Sequence, residues 1–373
     1  MRELTQAWPR PARPRPIVVI GAGAIVRTAH LPVYRRLAFP VAGVFDINPE
    51  HARTAARVFD IPETYETLDE ATRTAGAIFD VAVPGDQIVG ILEHLPRGSA
   101  VLMQKPMGRD LAEARRILGC CLDRDLTAAV NFQLRFSPGM LVLHDLLERG
   151  ALGALVDIDV RVVIDQPWHL WTFLAQAPRL EVLYHSIHYL DAIRWIAGEP
   201  RAVYCKGVGH PSTPRLRDTR SSIILDYGDG LRCSLVLNHT HRAGPRYRAS
   251  EMMVEGLDGA VRLTWGVNLD YPAGPADTME LASGTDTGGG PSTGSGSSRA
   301  PSRDGWTDVP LRGSWFIEAF EGPMSNLQRF VAGEDTTLVG SVEDAIKTMA
   351  VVEACYESST HGATPIPNVG GRE

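Results

Sequence analysis

Up to about residue 130, short apolar runs alternate with stretches of helical spacing, the pattern of a parallel sheet covered by helices on both faces. The strand-like runs are 17–20, 41–45, 77–83, 100–103 and 128–130, and helices are expected at 49–59, 68–75, 88–95 and 110–121. Beyond this point the pattern changes. Strand-like stretches at 155–164, 202–208, 221–227, 231–239, 250–255 and 260–265 follow one another with short turns. Tyr227-Gly228-Asp229-Gly230 between two of them is a hairpin signal. These stretches predict a large open, mostly antiparallel sheet, helped by helices at 181–197 and 342–359. The fold class is therefore α/β, with a doubly wound parallel sheet of Rossmann type first and a second α/β domain after it. The expected divisions are a proline- and arginine-rich extended arm at 1–16, a first domain at 17–130 and a second at 131–373. The arm is open to three readings: a leader, a solvated tail, or a segment wrapped on a neighbouring subunit. A glycine-, serine- and threonine-rich stretch at 273–303 reads as a mobile surface loop.

The first run ends in Gly21-Ala22-Gly23, followed by helical spacing from Ala24 and Ile25. Gly21 suits a sharp strand-to-helix turn, Gly23 leaves no Cβ between the main chain and a pyrophosphate, and the amides opening the helix at Ala24 and Ile25 face the phosphates. Val26 stands where the usual fingerprint has its third glycine, which serves packing more than phosphate contact. Asp46, at the end of the second run, is placed to hold ribose hydroxyls. Its charge favours NAD over NADP, because a carboxylate repels a 2′-phosphate and no arginine follows it directly.

With 373 residues, 44% of them hydrophobic and 22% charged, the chain is long enough for two cores. A net charge of −7 argues against nucleic acid as a partner. There is no apolar run of membrane-spanning length and no basic-then-apolar opening segment, so no membrane partner and a cytoplasmic location are expected. Five cysteines without zinc-site spacing read as free thiols, and no metal site is expected.

Chemistry-bearing residues gather at strand ends. The run 100–103 delivers Gln104-Lys105-Pro106 to the carboxyl edge of the first sheet, where ligands sit in this architecture, and Pro84 closes the neighbouring run at the same edge. A lysine held there out of water has a lowered pKa and can exchange a proton with a hydroxyl near neutral pH. On the helix from about 181, Tyr184, His188, Asp191 and Trp195 recur at one-face spacing, with Leu183, Ile187, Leu190 and Ile193 opposite. A structural His188–Asp191 pair is the plainer alternative. Asn131 and Arg135 begin where the first domain ends, as part of a cleft or as part of a linker. His239 ends a strand and can line the same cavity. Trp168 offers a ring that either stacks on a sugar or packs in the core.

Gly21-Ala22-Gly23 with His30-Leu31-Pro32, the Val83-Pro84 strand end, Gln104-Lys105-Pro106 and His188-Tyr189-Leu190-Asp191 stand in the order found in one family. On these motifs the chain resembles the Gfo/Idh/MocA oxidoreductases, which include inositol and glucose dehydrogenases. The resemblance implies that Lys105 matches the lysine of the family's Glu-Lys-Pro motif, touching nicotinamide and substrate, and that His188 matches the histidine of its Asp-x-x-x-His motif. Gln104 replaces the usual glutamate, and Tyr184 stands where inositol dehydrogenases carry an aspartate. Tyr184 or the adjacent His185 then becomes a candidate for the proton step. The expected function is an NAD-dependent oxidoreductase moving a hydride between nicotinamide and a hydroxyl-bearing carbon of a sugar, polyol or sugar acid. Lys105, His188 and Tyr184 are its candidate catalytic residues. Gly21, Gly23, Ala24, Ile25, Asp46, Pro84, Gln104, Lys105 and Asn131 are assigned to the cofactor. Lys105, Arg135, Trp168, His185, His188 and His239 are assigned to the substrate. Alternatives are an oxidoisomerase that recycles tightly bound NAD, suggested by the arm, and a catalytically silent NAD-binding sensor. The family's open sheet implies a homodimer or homotetramer.

Overall fold

Four β-branched residues in a row, Ile17–Ile20, form β1 inside a six-stranded sheet in the computed structural model, which describes residues 3–283 and 305–361. All four are essentially unexposed because helices cover both faces. The other strands are β2 (Val41–Phe45), β3 (Glu63–Thr64), β4 (Ile78–Val81), β5 (Ala100–Met103) and β6 (Thr127–Val130). The sheet is parallel throughout, in the order β3-β2-β1-β4-β5-β6. The intervening helices are α1 (Leu31–Arg36), α2 (Pro49–Phe59), α3 (Leu68–Thr72), α4 (Ile88–Leu92) and α5 (Leu111–Asp123). Asn48 caps α2 by accepting from the Glu50 amide, and Pro49 fills the first helical position, where no amide donor is needed.

After α6 (Pro138–Glu148) the second sheet begins with β7 (Leu155–Val163), and α7 (Ile187–Ala197) follows it. The remaining strands are β8 (Ala202–Val208), β9 (Arg220–Asp226), β10 (Arg232–Asn238), β11 (Ala249–Gly256), β12 (Gly259–Thr264), β13 (Thr278–Ser283) and β14 (Trp306–Asp308). Their order is β14-β13-β12-β11-β7-β10-β9-β8, antiparallel except where β7 and β10 run parallel. Gly228, at φ +85°, makes the β9–β10 hairpin turn.

Three features depart from the sequence pattern. The expected loop at 273–303 is partly ordered: β13 pairs along β12, with Met279 buried on the core face, while 284–303 lies outside the described residues. Its apolar and polar residues are too few per strand to stand out beside the glycine-rich run. Helix α8 (Glu321–Val331), though late in the chain, lies on the first sheet and buries Met324 and Leu327 in the cluster of Ile17, Val19 and Leu102. The arm runs along its own chain rather than away from it. Thr5 donates its amide to Asp145, the Trp8 indole donates to Asp335 at 2.7 Å, and the Arg15 amide donates to Gln328 at 2.7 Å. The final helix, α9 (Val342–His361), packs on α5, α7 and β8 and so ties the two sheets together. Among the described residues no helix is long and apolar enough to cross a membrane.

Candidate active site

The carboxyl ends of β1, β4, β5 and β6 lie side by side, joined by hydrogen bonds from the Ala82 amide to Ile20 O, the Gln104 amide to Val81 O and the Asn131 amide to Met103 O. That edge carries the glycine turn. Gly21 has φ +95°, and a Cβ there would meet the Ala82 carbonyl oxygen at 2.4 Å, so neither conformation nor space admits another residue. A Cβ on Gly23 would meet nothing within 4 Å, which leaves the main chain bare toward open space, as a pyrophosphate cradle requires. Asp46 accepts the Ala22 amide on Oδ2 at 2.7 Å and the Asn48 amide on Oδ1 at 2.8 Å. Each carboxylate oxygen keeps a lone pair for a ribose hydroxyl. These residues fit a dinucleotide. Ala24 is exposed, and Pro84 is exposed at the end of β4.

Beside this turn lies a buried chain of polar groups. His30 Nδ1 donates to Asp80 Oδ2 at 2.8 Å, an oxygen that also accepts from the Tyr34 hydroxyl. His30 Nε2 then accepts from the amide nitrogens of Gln104 at 3.2 Å and Asn131 at 3.3 Å. The Gln104 oxygen takes the Lys105 amide at 2.8 Å, while the Asn131 oxygen is buried with no partner. A glutamate in place of Gln104 could not donate to His30 in this way. His30 and Asp80 were not singled out as site residues. The link between them spans fifty positions and leaves no local sequence signal.

Lys105 leaves β5 beside this network, and its ammonium donates to the main-chain carbonyl of Tyr184 at 2.9 Å. Burial brings its pKa down to about 8. Two imidazoles share its surroundings. His185 and His188 are both pushed well below the usual histidine range, His185 by burial and then by His239 and Lys105, His188 by burial and then by Lys105. Both are therefore neutral at pH 7. His188 Nδ1, His185 Nε2 and the Trp168 indole nitrogen are buried without hydrogen-bond partners. Trp168 stands edge-on to His185 at 5.2 Å, and His185 stacks on His239 at 4.6 Å.

The helix that carries these groups begins with a wide π-turn, Val182–Ser186, before α7. A second π-turn, Val26–His30, starts at Val26, the position of the missing third glycine, and presents His30. Such turns insert a residue into the helical register and recur at functional sites. Here the effect is that His185, as well as His188, reaches the lysine. The expected single face is accordingly divided. The contact between Lys105 and Tyr184 is through the Tyr184 backbone, and the phenol stands edge-on to Phe173 at 5.9 Å with its pKa raised by burial. Asp191 pairs with Arg135 rather than His188, in a two-pronged contact at 2.6 Å on each oxygen, and Thr348 adds a hydroxyl at 2.8 Å. Trp195 stacks on His144 at 4.0 Å. Arg135 is thus corrected from the substrate set: its guanidinium is spent on Asp191 and on Asp344 at 2.8 Å. Leu183, Ile187, Leu190 and Ile193 are buried, as their spacing implied. The five cysteines are free, and no metal-holding cluster occurs among the described residues.

Two family models cover most of the chain. Residues 15–132 match the oxidoreductase family with an NAD-binding Rossmann fold, and residues 140–262 match the GFO/IDH/MocA C-terminal domain. The chain is 25% identical to the D-apiose dehydrogenase of Paraburkholderia graminis over 362 residues, covering 93% of this chain and 88% of that protein. It is 28% identical to the trans-1,2-dihydrobenzene-1,2-diol dehydrogenase of Bos taurus over 286 residues, 70% of this chain and 81% of the other. Among solved structures, an Agrobacterium radiobacter oxidoreductase in complex with NAD+, L-tartaric acid and magnesium superposes with a TM-score of 0.76 at 18% identity. That superposition covers 94% of this chain and 98% of that one.

Proposed function

The chain belongs to the Gfo/Idh/MocA oxidoreductases, and from that premise we propose that it is a cytoplasmic NAD-dependent dehydrogenase of a sugar, polyol or sugar acid. The observation that carries the reading is the desolvated Lys105 ammonium, with a pKa of about 8, beside two neutral imidazoles. NAD, when bound, would supply the acceptor for the hydride of the carbinol carbon. Gly21, Gly23 and the amides at Ala24 and Ile25 would hold its pyrophosphate, and Asp46 its ribose. Asn131 has an unpartnered oxygen suited to an amide donor such as a carboxamide. Lys105 Nζ takes the proton of the substrate hydroxyl. With a pKa near 8, about one amine in ten is neutral and ready to do so at pH 7. The Tyr184 carbonyl anchors that amine, and His188, neutral with an unpartnered Nδ1, passes the proton onward. His185, His239 and Trp168 line the substrate side. The exposed apolar residues of the second sheet, Tyr204, Ile224 and Val236, support a homodimer or homotetramer.

A panel of D-apiose, inositols, aldonates and cyclic diols assayed for NAD reduction tests this reading. We expect at least one to be oxidised, with kcat/KM rising about tenfold per pH unit below 8 and levelling above it. Lys105→Ala should lower kcat by about 10²–10⁴-fold while NAD affinity stays unchanged. A wild-type chain that binds NAD and oxidises none of the panel, or a Lys105→Ala variant with full turnover, would overturn the reading. Asp46→Ala should relax the preference for NAD over NADP.

A further inference from the structure

One buried carboxylate takes no part in the chemistry above. Glu181, just before the π-turn, is fully buried, and both its oxygens accept hydroxyls: Ser186 Oγ at 2.5 Å on Oε1, and Ser221 Oγ from β9 on Oε2. His239, one residue past β10, brings its Nε2 to 3.2 Å from Glu181 Oε1, a charge contact without hydrogen-bond alignment, so that neither ring nitrogen has a hydrogen-bond partner. At that distance a carboxylate oxygen and an imidazole lone pair repel one another, so the nitrogen facing Glu181 is the one that carries the proton. Nδ1 is then an unprotonated acceptor. It has no partner, in a residue that is 2% exposed. The ring is clamped by stacking on His185 at 4.6 Å and by Trp168 edge-on at 6.4 Å, and His185 lies beside Lys105. A buried acceptor without a donor costs free energy, and a ligand that supplies the donor recovers that cost.

We propose that Glu181 is a positioning residue that holds His239 as its Nε2–H form, so that Nδ1 accepts a hydrogen bond from a second hydroxyl of the substrate. The proposal rests on the dehydrogenase reading and deepens it by giving two substrate hydroxyls separate roles, one deprotonated by Lys105 and one held by His239. A simple monoalcohol leaves Nδ1 orphaned and is a poor substrate.

The pairing is tested on the ligand-free chain by two-bond proton–nitrogen spectra of ¹⁵N-histidine-labelled protein, with the His239 signals identified by their loss in His239→Asn. We expect a single Nε2–H form in the wild type and a mixture of both forms in Glu181→Leu, with thermal melting to verify the fold. An Nδ1–H form in the wild type overturns the proposal whatever the variant does. So does a folded Glu181→Leu with the wild-type pattern. On a panel diol that the enzyme oxidises, Glu181→Leu should raise KM about tenfold and change kcat less than about twofold. An unchanged KM overturns the proposed role. A wild type that oxidises no panel compound strikes at the dehydrogenase reading instead, and the spectra still decide the Glu181–His239 pairing.

Discussion

Two buried polar clusters hang from the same helical segment and are finished to different degrees. At one end, Arg135, Asp191, Arg194, Thr348 and Asp344 interlock: Asp191 Oδ1 accepts from both Arg135 and Thr348, and Arg194 bridges Asp344, Glu199 and Thr348. At the other end, Lys105 makes a single hydrogen bond to a carbonyl, and Trp168, His185, His188 and His239 hold ring nitrogens with no partner. A satisfied buried network joins elements of a fold; an unsatisfied one is an expense that a ligand recovers. The contrast sorts the two clusters into a tie between elements of the second domain and a site, although the residue types overlap.

The contrast can be broken in three ways, in order of decreasing effect. Arg135→Ala leaves the buried Asp191 carboxylate with only Arg194, at 3.9 Å, as counter-charge and should cost about 3–5 kcal/mol of stability. Chemical denaturation would read this, and a loss under about 1 kcal/mol would mean that the cluster is not a tie. Lys105→Met removes a desolvated ammonium and should stabilise the folded chain by about 1–2 kcal/mol at pH 7 while abolishing turnover. The sign follows from a folded-state pKa of about 8 below the ordinary value of 10.5. The charge is penalised in full below pH 8, and the gain shrinks as pH rises from 8 to 10.5, where the unfolded chain also loses the proton. A gain that grew with pH across this window would contradict the burial argument. Trp168→Phe removes an orphaned donor, so stability should stay within about 0.5 kcal/mol, while KM rises about threefold. A destabilised Trp168→Phe with unchanged KM would assign that indole to the core.

Much of the first domain was legible because its signals are local. A run of β-branched residues, a glycine that must have positive φ, and an aspartate at the next strand end lie within one strand-turn-helix-strand unit, and Lys105 follows its strand by two residues. The strands of the second sheet were equally readable, except β13 and β14 beside the glycine-rich run. Arg135 was misread because its partner lies 56 positions away, and an isolated arginine at a domain junction looks the same whether or not it is neutralised. The pairing of His30 with Asp80, and that of Glu181 with His239, escaped notice for the same reason. The π-turn at 182–186 was hidden because apolar spacing measures average helical period and not one inserted residue.

The amino-acid order by itself determined the two sheets, the dinucleotide turn and the lysine at its edge, since each depends on backbone geometry and contacts within a few residues. The tertiary structure decided which buried charges neutralise one another, which imidazoles are left with an open nitrogen, and that α8 and the arm fold back on their own chain. Those outcomes depend on groups tens to hundreds of positions apart being brought to hydrogen-bond distance, and no local pattern encodes which of them will meet.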